Sequence, residues 1–370
     1  MADGKVRHRC RYERQDDGRT VDAGELWQEF ETWPERLEAG DGNPFLMVSL
    51  QYAMEEKRSL HLHGQASRRL LANLTEFRDG WCRQKPSRYS RSDFMADQVV
   101  DDAAEHPGPG AVVLFSGGMD AAFTTWRHVK GLAGTGNQDI RLGVFIDGFE
   151  RVAADDHENF LRVIPRVKRL LADLGRPLAV VRTNHRQMQK KEFEALPTRI
   201  YSPELAACLY NFKAIGGTGL IASSYQYSNQ GALGDGSNPV SDRLLETGTF
   251  RIVHDAGGVR RVEKLAALID WPAFHEEIRV CWYPRADGSN CGRCEKCLRT
   301  MLSYLVVAGR LPQGLPQDLG ALRQAVREVK VKPKIAFAWQ EIADWGREHG
   351  RDNEWIALLE AKAHKRWKDR

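Results

Sequence analysis

The sequence has little excess charge of either sign: 54 Lys and Arg face 50 Asp and Glu across 370 residues, a net +4. With 28% charged and 42% hydrophobic residues, the chain is neither a polyelectrolyte tail nor a disordered charged segment, and charge names no nucleic-acid partner. Long apolar runs are lacking as well. No stretch approaches the ~18 apolar residues of a membrane span, and Met1–Arg9 contains no apolar signal core. A cytoplasmic protein without membrane contact is expected. Neither common nucleotide loop occurs: there is no G-x-x-x-x-G-K-[ST], and no G-x-G-x-x-G follows an apolar run. Cysteine is sparse outside one place. Cys10, Cys82 and Cys208 are scattered, whereas Cys281, Cys291, Cys294 and Cys297 crowd into one segment, and in a long, unsecreted chain such a group points to metal before disulfides.

At roughly 100–200 residues per domain, the length suggests two domains or three. The stretch Asp101–Gly110 is acidic and then rich in Pro and Gly, and it directly precedes the apolar run Ala111–Phe115. It divides the chain into an N-terminal α+β unit (1–108), a core (109–310) and a helical C-terminal extension (311–370). In the first unit, Phe45–Leu50 and Ser59–His63 are expected as strands, and Ser67–Gln84, with Leu70, Leu71, Leu74 and Phe77 on one side, as a helix. After residue 110, apolar runs at 111–115, Leu142–Ile146, Leu178–Val181, Gly219–Ala222 and Phe250–Val253 alternate with helical spacing near 120–131, 155–174, 203–215 and 259–270. Such alternation predicts a doubly wound α/β domain, a parallel sheet covered on both faces, with ligands at the carboxyl ends of the strands. From Leu298 onward helices are expected near 298–308, 317–329, 333–349 and 352–366, the last a solvated, charge-rich cap.

The string Ser116-Gly117-Gly118-Met119-Asp120 falls where the first core strand passes into a helix. Adjacent glycines let backbone N–H groups turn toward an oxyanion, and the helix start adds unpaired N–H groups and the positive end of a dipole. A polyphosphate fits this arrangement; the plainer alternative is a strand-to-helix turn with Asp120 as N-cap. Further on, Arg261 and Lys264 share a face near a helix start, where cations are unfavourable unless something anionic compensates. Their plainer alternative is pairing with Glu263. Arg182 and Arg186 follow the third core strand at the functional edge, as substrate contacts or as solvated loop charges. His254 beside Asp255 reads as structural before catalytic, and Cys208, among apolar neighbours, as packing.

Four thiolates suit a tetrahedral cation at ~2.3 Å, and a closed four-sulfur shell leaves no position for substrate, so a structural Zn²⁺ is expected at Cys281, Cys291, Cys294 and Cys297. Spacing alone leaves a [4Fe-4S] cluster open. Arg293, Lys296 and Arg299 would offset the charge of the site.

The Ser116–Asp120 string resembles the S-G-G-x-D-S loop of the PP-loop family, the N-type ATP pyrophosphatases, and departs from it at Ala121, where the family has Ser. The resemblance implies an adenine nucleotide alpha hydrolase-like fold and chemistry of one kind. A substrate oxygen attacks the α-phosphate of ATP, pyrophosphate leaves, and a nucleophile displaces AMP. It implies Ser116, Gly117, Gly118, Met119, Asp120, Val144, Phe145 and Arg182 as nucleotide-binding residues, Ser116, Asp120, Arg261 and Lys264 as catalytic, and Mg²⁺ on the phosphates with Asp120 as its helper. The cysteine arrangement after that core looks like the 7-cyano-7-deazaguanine synthase branch, in which a zinc knot pins a C-terminal helix against the active-site rim. That likeness spans about 111 to 305. The added ends and Ala121 argue against the same substrate. Ala2 does not supply the Cys that an asparagine-synthetase-like glutaminase carries after its initiator Met, so the expected reaction is adenylation of a small carboxylate or carbonyl oxygen followed by ammonia or an amine. Sulfur insertion on a base-like substrate or tRNA, and a non-catalytic nucleotide- or RNA-binding module, are the alternatives. A homodimer accords with the fold, and nucleic acid is not the expected partner.

Overall fold

The computed structural model describes residues 5–30, 40–102, 108–148, 157–189, 199–281 and 285–363. The chain opens on a hairpin, β1 (Val6–Asp16) and β2 (Arg19–Phe30), in which Asp16 pairs Arg19 across Asp17-Gly18. Both turn residues have positive φ, 48° and 74°, the backbone that a two-residue hairpin turn requires and that Asp-Gly tolerates. Then come α1 (Asn43–Glu56), β3 (Leu60–Ser67), α2 (Arg68–Gln84) and β4 (Phe94–Val100). The core follows as β5 (Ala111–Leu114), α3 (Met119–Val129), β6 (Ile140–Asp147), α4 (His157–Asp173), β7 (Leu178–Thr183), α5 (Ser202–Tyr210), β8 (Thr218–Ala222), α6 (Tyr227–Leu233), β9 (Arg251–Asp255), α7 (Arg261–Ala267) and α8 (Pro272–Glu277). Four helices complete it: α9 (Glu295–Ala308), α10 (Leu319–Glu328), α11 (Ala336–Glu348) and α12 (Glu354–Ala363). The expected helix margins at 155–156 and 364–366, and linker residues 103–107, lie outside the described residues.

The five core strands run parallel in one sheet of order β1-β2-β7-β6-β5-β8-β9, to which β2 adds antiparallel beside β7. The N-terminal hairpin therefore extends the core sheet instead of forming a layer of its own. Alternating strand residues serve two faces. Val112, Leu142, Val144, Ile146, Val181 and Ile252 pack with α1, α2 and α5; Phe115 and Phe145 pack with α3, α4, α7, α8 and the four C-terminal helices. The architecture is α/β with a mostly parallel central sheet between helical layers, compatible with a doubly wound fold.

One expected element is of the other kind. Phe45–Leu50 is not a strand but the first half of α1, with Pro44 in its first turn. The run is buried on every side, from Asn43 through Val48 and again from Leu50 to Glu55, and an apolar run without polar alternation has no period to tell a buried strand from a buried helix. α2 matches its expected span and begins with Ser67, whose side chain accepts from the Leu70 N–H at 3.2 Å. Leu46 is fully buried in α1. Leu46→Ala is expected to lower unfolding stability by about 2–5 kcal/mol, read as a lower urea midpoint at unchanged slope.

Candidate functional site

β6 lies on one side of β5 and β8 on the other, so the strand order reverses between β5 and β8. A crevice opens at such a switch point beyond the carboxyl ends of the strands. Ser116–Asp120 leaves β5 there, and Ser223 follows β8.

Gly117 turns the chain with φ +72°, and a Cβ on it would stand 3.3 Å from Val167 Cγ2. Gly118 is the N-cap of α3, and its N–H reaches Ser116 Oγ at 3.4 Å. Asp120 lies inside the first turn of α3, so it is not the N-cap of a plain turn. The loop is braced from a distant segment: the Arg279 N–H donates to the Gly117 carbonyl at 3.0 Å, and Arg279 Nη1 to the Ser116 carbonyl at 3.4 Å. The Arg279 guanidinium also covers the Phe145 ring at 5.5 Å, and Phe145 stacks on Phe160.

Asp120 meets two cations from α7. Arg261 Nη1 donates to Oδ2 at 2.5 Å and Lys264 Nζ to Oδ1 at 3.3 Å, while Lys264 also donates to the Ser223 carbonyl at 2.5 Å. Glu263 does not hold them; it caps α7 instead, accepting from the Arg260 N–H at 2.7 Å. Burial pushes the Asp120 carboxyl up, but Arg261, Lys264 and Lys296 outweigh it and hold the group below the usual carboxylate range. The Lys264 ammonium, wholly buried, is pushed down by desolvation against the pull of Asp120. Arg299, from the second turn of α9, adds a further cation within the field of Asp120 and Tyr225. Its Nε donates to Glu295 Oε1 at 2.8 Å, and its Nη1 is buried without a hydrogen-bond partner among the described residues. Arg261, Lys264, Lys296 and Arg299 thus all interact with Asp120. The Asp120 side chain keeps 15% exposure, enough for solvent to reach the cluster.

A second layer fixes this one. Ser223 Oγ reaches Gln230 Oε1 at 3.1 Å, and His254 lies between Gln230 Oε1 at 3.0 Å and Asp242 Oδ2 at 2.8 Å. The His254 imidazole, 3% exposed, is spent on these bonds. Asp255 takes Thr124 Oγ1 at 2.8 Å, His128 Nε2 at 3.2 Å and Arg127. The C-terminal extension reaches the same region: Phe337 meets Tyr225 edge-on at 5.2 Å, Trp339 Nε1 donates to Glu295 at 2.8 Å, and Glu341 accepts from Asn229 at 2.9 Å.

The other candidates lie elsewhere. Arg182 bridges Asp147 at 3.2 Å and Glu29 at 3.6 Å, and Arg186 reaches Glu204 at 3.4 Å. Val144 is buried in the layer under α1 and α5, and Met119 and Ala121 in the opposite one. Cys208 is fully buried, and burial pushes its thiol up, which suits packing.

The four cysteines converge. All four Sγ atoms lie within 4.8 Å of one another, with Cys281–Cys294 and Cys291–Cys297 both at 3.9 Å. A tetrahedron with ~2.3 Å arms has edges of about 3.8 Å, so the set is compatible with a structural zinc. Backbone N–H groups of Arg293 and Cys294 reach Cys291 Sγ at 3.4 and 3.3 Å, favouring a thiolate there. Gly292 takes φ +69° in this turn, and a Cβ would strike Pro316 Cγ at 2.7 Å. Cys281 stands two residues after Arg279, so the knot and the Ser116–Asp120 loop hang on one short segment. Asn290 secures it, accepting from the N–H groups of Val280 and Cys281 at 3.0 and 3.1 Å.

Sequence reasoning did not single out Arg279 or Glu341, and it gave Arg299 only a charge-balancing role; Tyr225 it placed among the hydroxyls that end the fourth core strand. For Arg279 and Arg299 a signal existed, since each stands two residues from a cysteine of the knot. No family model matches the chain, and no curated protein or solved structure is significantly similar to it.

Two outcomes are expected. Loading the cysteine knot with Zn²⁺ should slow amide hydrogen exchange in the peptic fragments that carry Gly117 and Gly118 as well as in those from 278–297, measured by mass spectrometry against the chelator-treated protein. Burial pushes Glu341 up to about 7, against Arg260 and Arg299. A carboxyl raised in the folded state costs stability as pH climbs from its ordinary 4.5 through that value. Glu341→Gln should therefore match the wild type near pH 4 and exceed it by about 1–3 kcal/mol above pH 8, in denaturant titrations at the two pH values.

Proposed function

We propose that the chain is an ATP-dependent ligase of the PP-loop kind, which adenylates a small carboxylate or carbonyl oxygen, releases pyrophosphate, and lets a nitrogen nucleophile replace AMP. The observation that carries this reading is the gathering of four cations, Arg261, Lys264, Lys296 and Arg299, in the field of Asp120 at the glycine loop. Several cations beside a glycine loop at a helix start favour an anion, and a polyphosphate tail lying on the loop N–H groups is the one that suits them best. In this reading the backbone of Ser116–Met119 cradles the phosphates. Lys264 and Arg261 stabilise charge as it develops on the departing pyrophosphate, and Arg299 directs its unpaired Nη1 to the same group. Mg²⁺ beside Asp120 would neutralise phosphate charge. The core then belongs to the adenine nucleotide alpha hydrolase-like folds, in the cytoplasm, with zinc in the knot as a structural ion.

Nitrogen is favoured over sulfur because Cys208, the one core cysteine outside the knot, is buried with its thiol held protonated. A persulfide carrier needs an accessible thiolate.

Phosphorus NMR of ATP incubated with ammonium and a panel of small carboxylates and amides should show AMP and pyrophosphate. Lys264→Met should slow that release by about 100-fold or more while leaving the circular-dichroism spectrum unchanged. Formation of ADP and phosphate alone would refute the reading.

A further inference from the structure

β3 and β4 form a two-stranded parallel sheet separate from the central one. Along β3 the side chains alternate, so His61 and His63 share the exposed face while Leu62 is buried beneath them. The ladder sets His61 opposite Met95 and Leu62 opposite Ala96. From Leu62 to Gln65 β3 then advances three residues while β4 advances only two, from Ala96 to Gln98. The extra residue is a bulge at His63-Gly64, and Asp97 faces it. Bulges of this kind re-aim side chains, and here both imidazoles converge on one carboxylate. His61 Nε2 lies 2.7 Å from Asp97 Oδ1, His63 Nδ1 lies 3.2 Å from Asp97 Oδ2, and the ring centres are 4.3 Å apart.

Asp97 has only these two imidazoles as ionic partners among the described residues. The three ligand atoms lie within 4.8 Å of one another, close enough to gather on a cation with arms of ~2.0–2.2 Å. Two imidazole nitrogens with one carboxylate oxygen form a borderline donor set. It suits Zn²⁺ and its neighbours Ni²⁺ and Cu²⁺, and is poor for Ca²⁺ or Mg²⁺, which require more oxygens.

We propose that His61, His63 and Asp97 form a second metal centre, open to solvent, which takes a divalent cation of the Zn²⁺ class and ties β3 to β4. The centre differs from the cysteine knot in every respect that governs use. Its ligands are neutral nitrogens and one carboxylate, and its remaining positions face water. A two-stranded sheet is marginal by itself, and a cation that binds only the paired strands stabilises the pairing by mass action. The proposal does not depend on the ligase reading.

The full chain, its His63→Ala variant and its Asp97→Asn variant should be dialysed against dilute Zn²⁺ and their metal counted by elemental analysis. The ligands are exposed, so both variants keep the fold. The expected result is one equivalent fewer in each variant than in the wild type, whatever ion the knot holds. Cu²⁺ added to the wild type should give an electron paramagnetic resonance spectrum split by two nitrogens, reduced to one by His63→Ala. Equal zinc content in the three proteins, or a copper spectrum unchanged in the variant, overturns the proposal.

Discussion

A buried ammonium governs the geometry of the switch point. Lys264 has no exposed surface, and its Nζ is divided between the Asp120 carboxylate and the Ser223 carbonyl. A charge so far from water is tolerable only with such partners. The same atom therefore fastens α7 to the start of α3 on one side of the crevice and to the end of β8 on the other. Arg261, one turn earlier on α7, makes the second attachment to Asp120. With α3 and α7 joined in this way, the glycine loop is held at the start of α3 beside Arg261 and Lys264.

The cysteine knot acts on that crevice through a short lever. Arg279 grips the loop with its backbone and its guanidinium, Asn290 secures the following two residues, and Cys281 enters the knot at once. On the far side of the knot, Cys297 sits in the first turn of α9 and Arg299 just beyond it. The cysteine cluster thus adjoins both arginines along the chain. The C-terminal helices add a third influence, because Trp339 and Arg299 share the Glu295 carboxylate and Phe337 covers Tyr225. The extension thus packs against residues that follow β8 and that open α9.

Much of this was legible in the letters. The five parallel strands read as short apolar runs bounded by breakers, since a strand buried on both faces is apolar throughout, and each appears within a few residues of its expected span. Pairings between distant residues were not legible. That Arg261 and Lys264 turn to Asp120, leaving Glu263 to cap the helix, follows from the placement of α7 beside α3. That Arg182 turns to Asp147 and Glu29 follows from β2 lying beside β7, a neighbour the reading of the core did not include. The Asp17-Gly18 turn was available as a signal for that hairpin.

Local chemistry was decided by sequence alone: where strands give way to helices, where glycine permits a tight turn, and which cysteines stand close enough to share an ion. These depend on neighbours along the chain, and their spacing is written in order. The tertiary structure alone decided which cation faces which carboxylate, that Phe45–Leu50 coils into a helix, and that His61, His63 and Asp97 meet. Those outcomes turn on strand order, register and burial, which are set by packing between segments that the sequence keeps far apart.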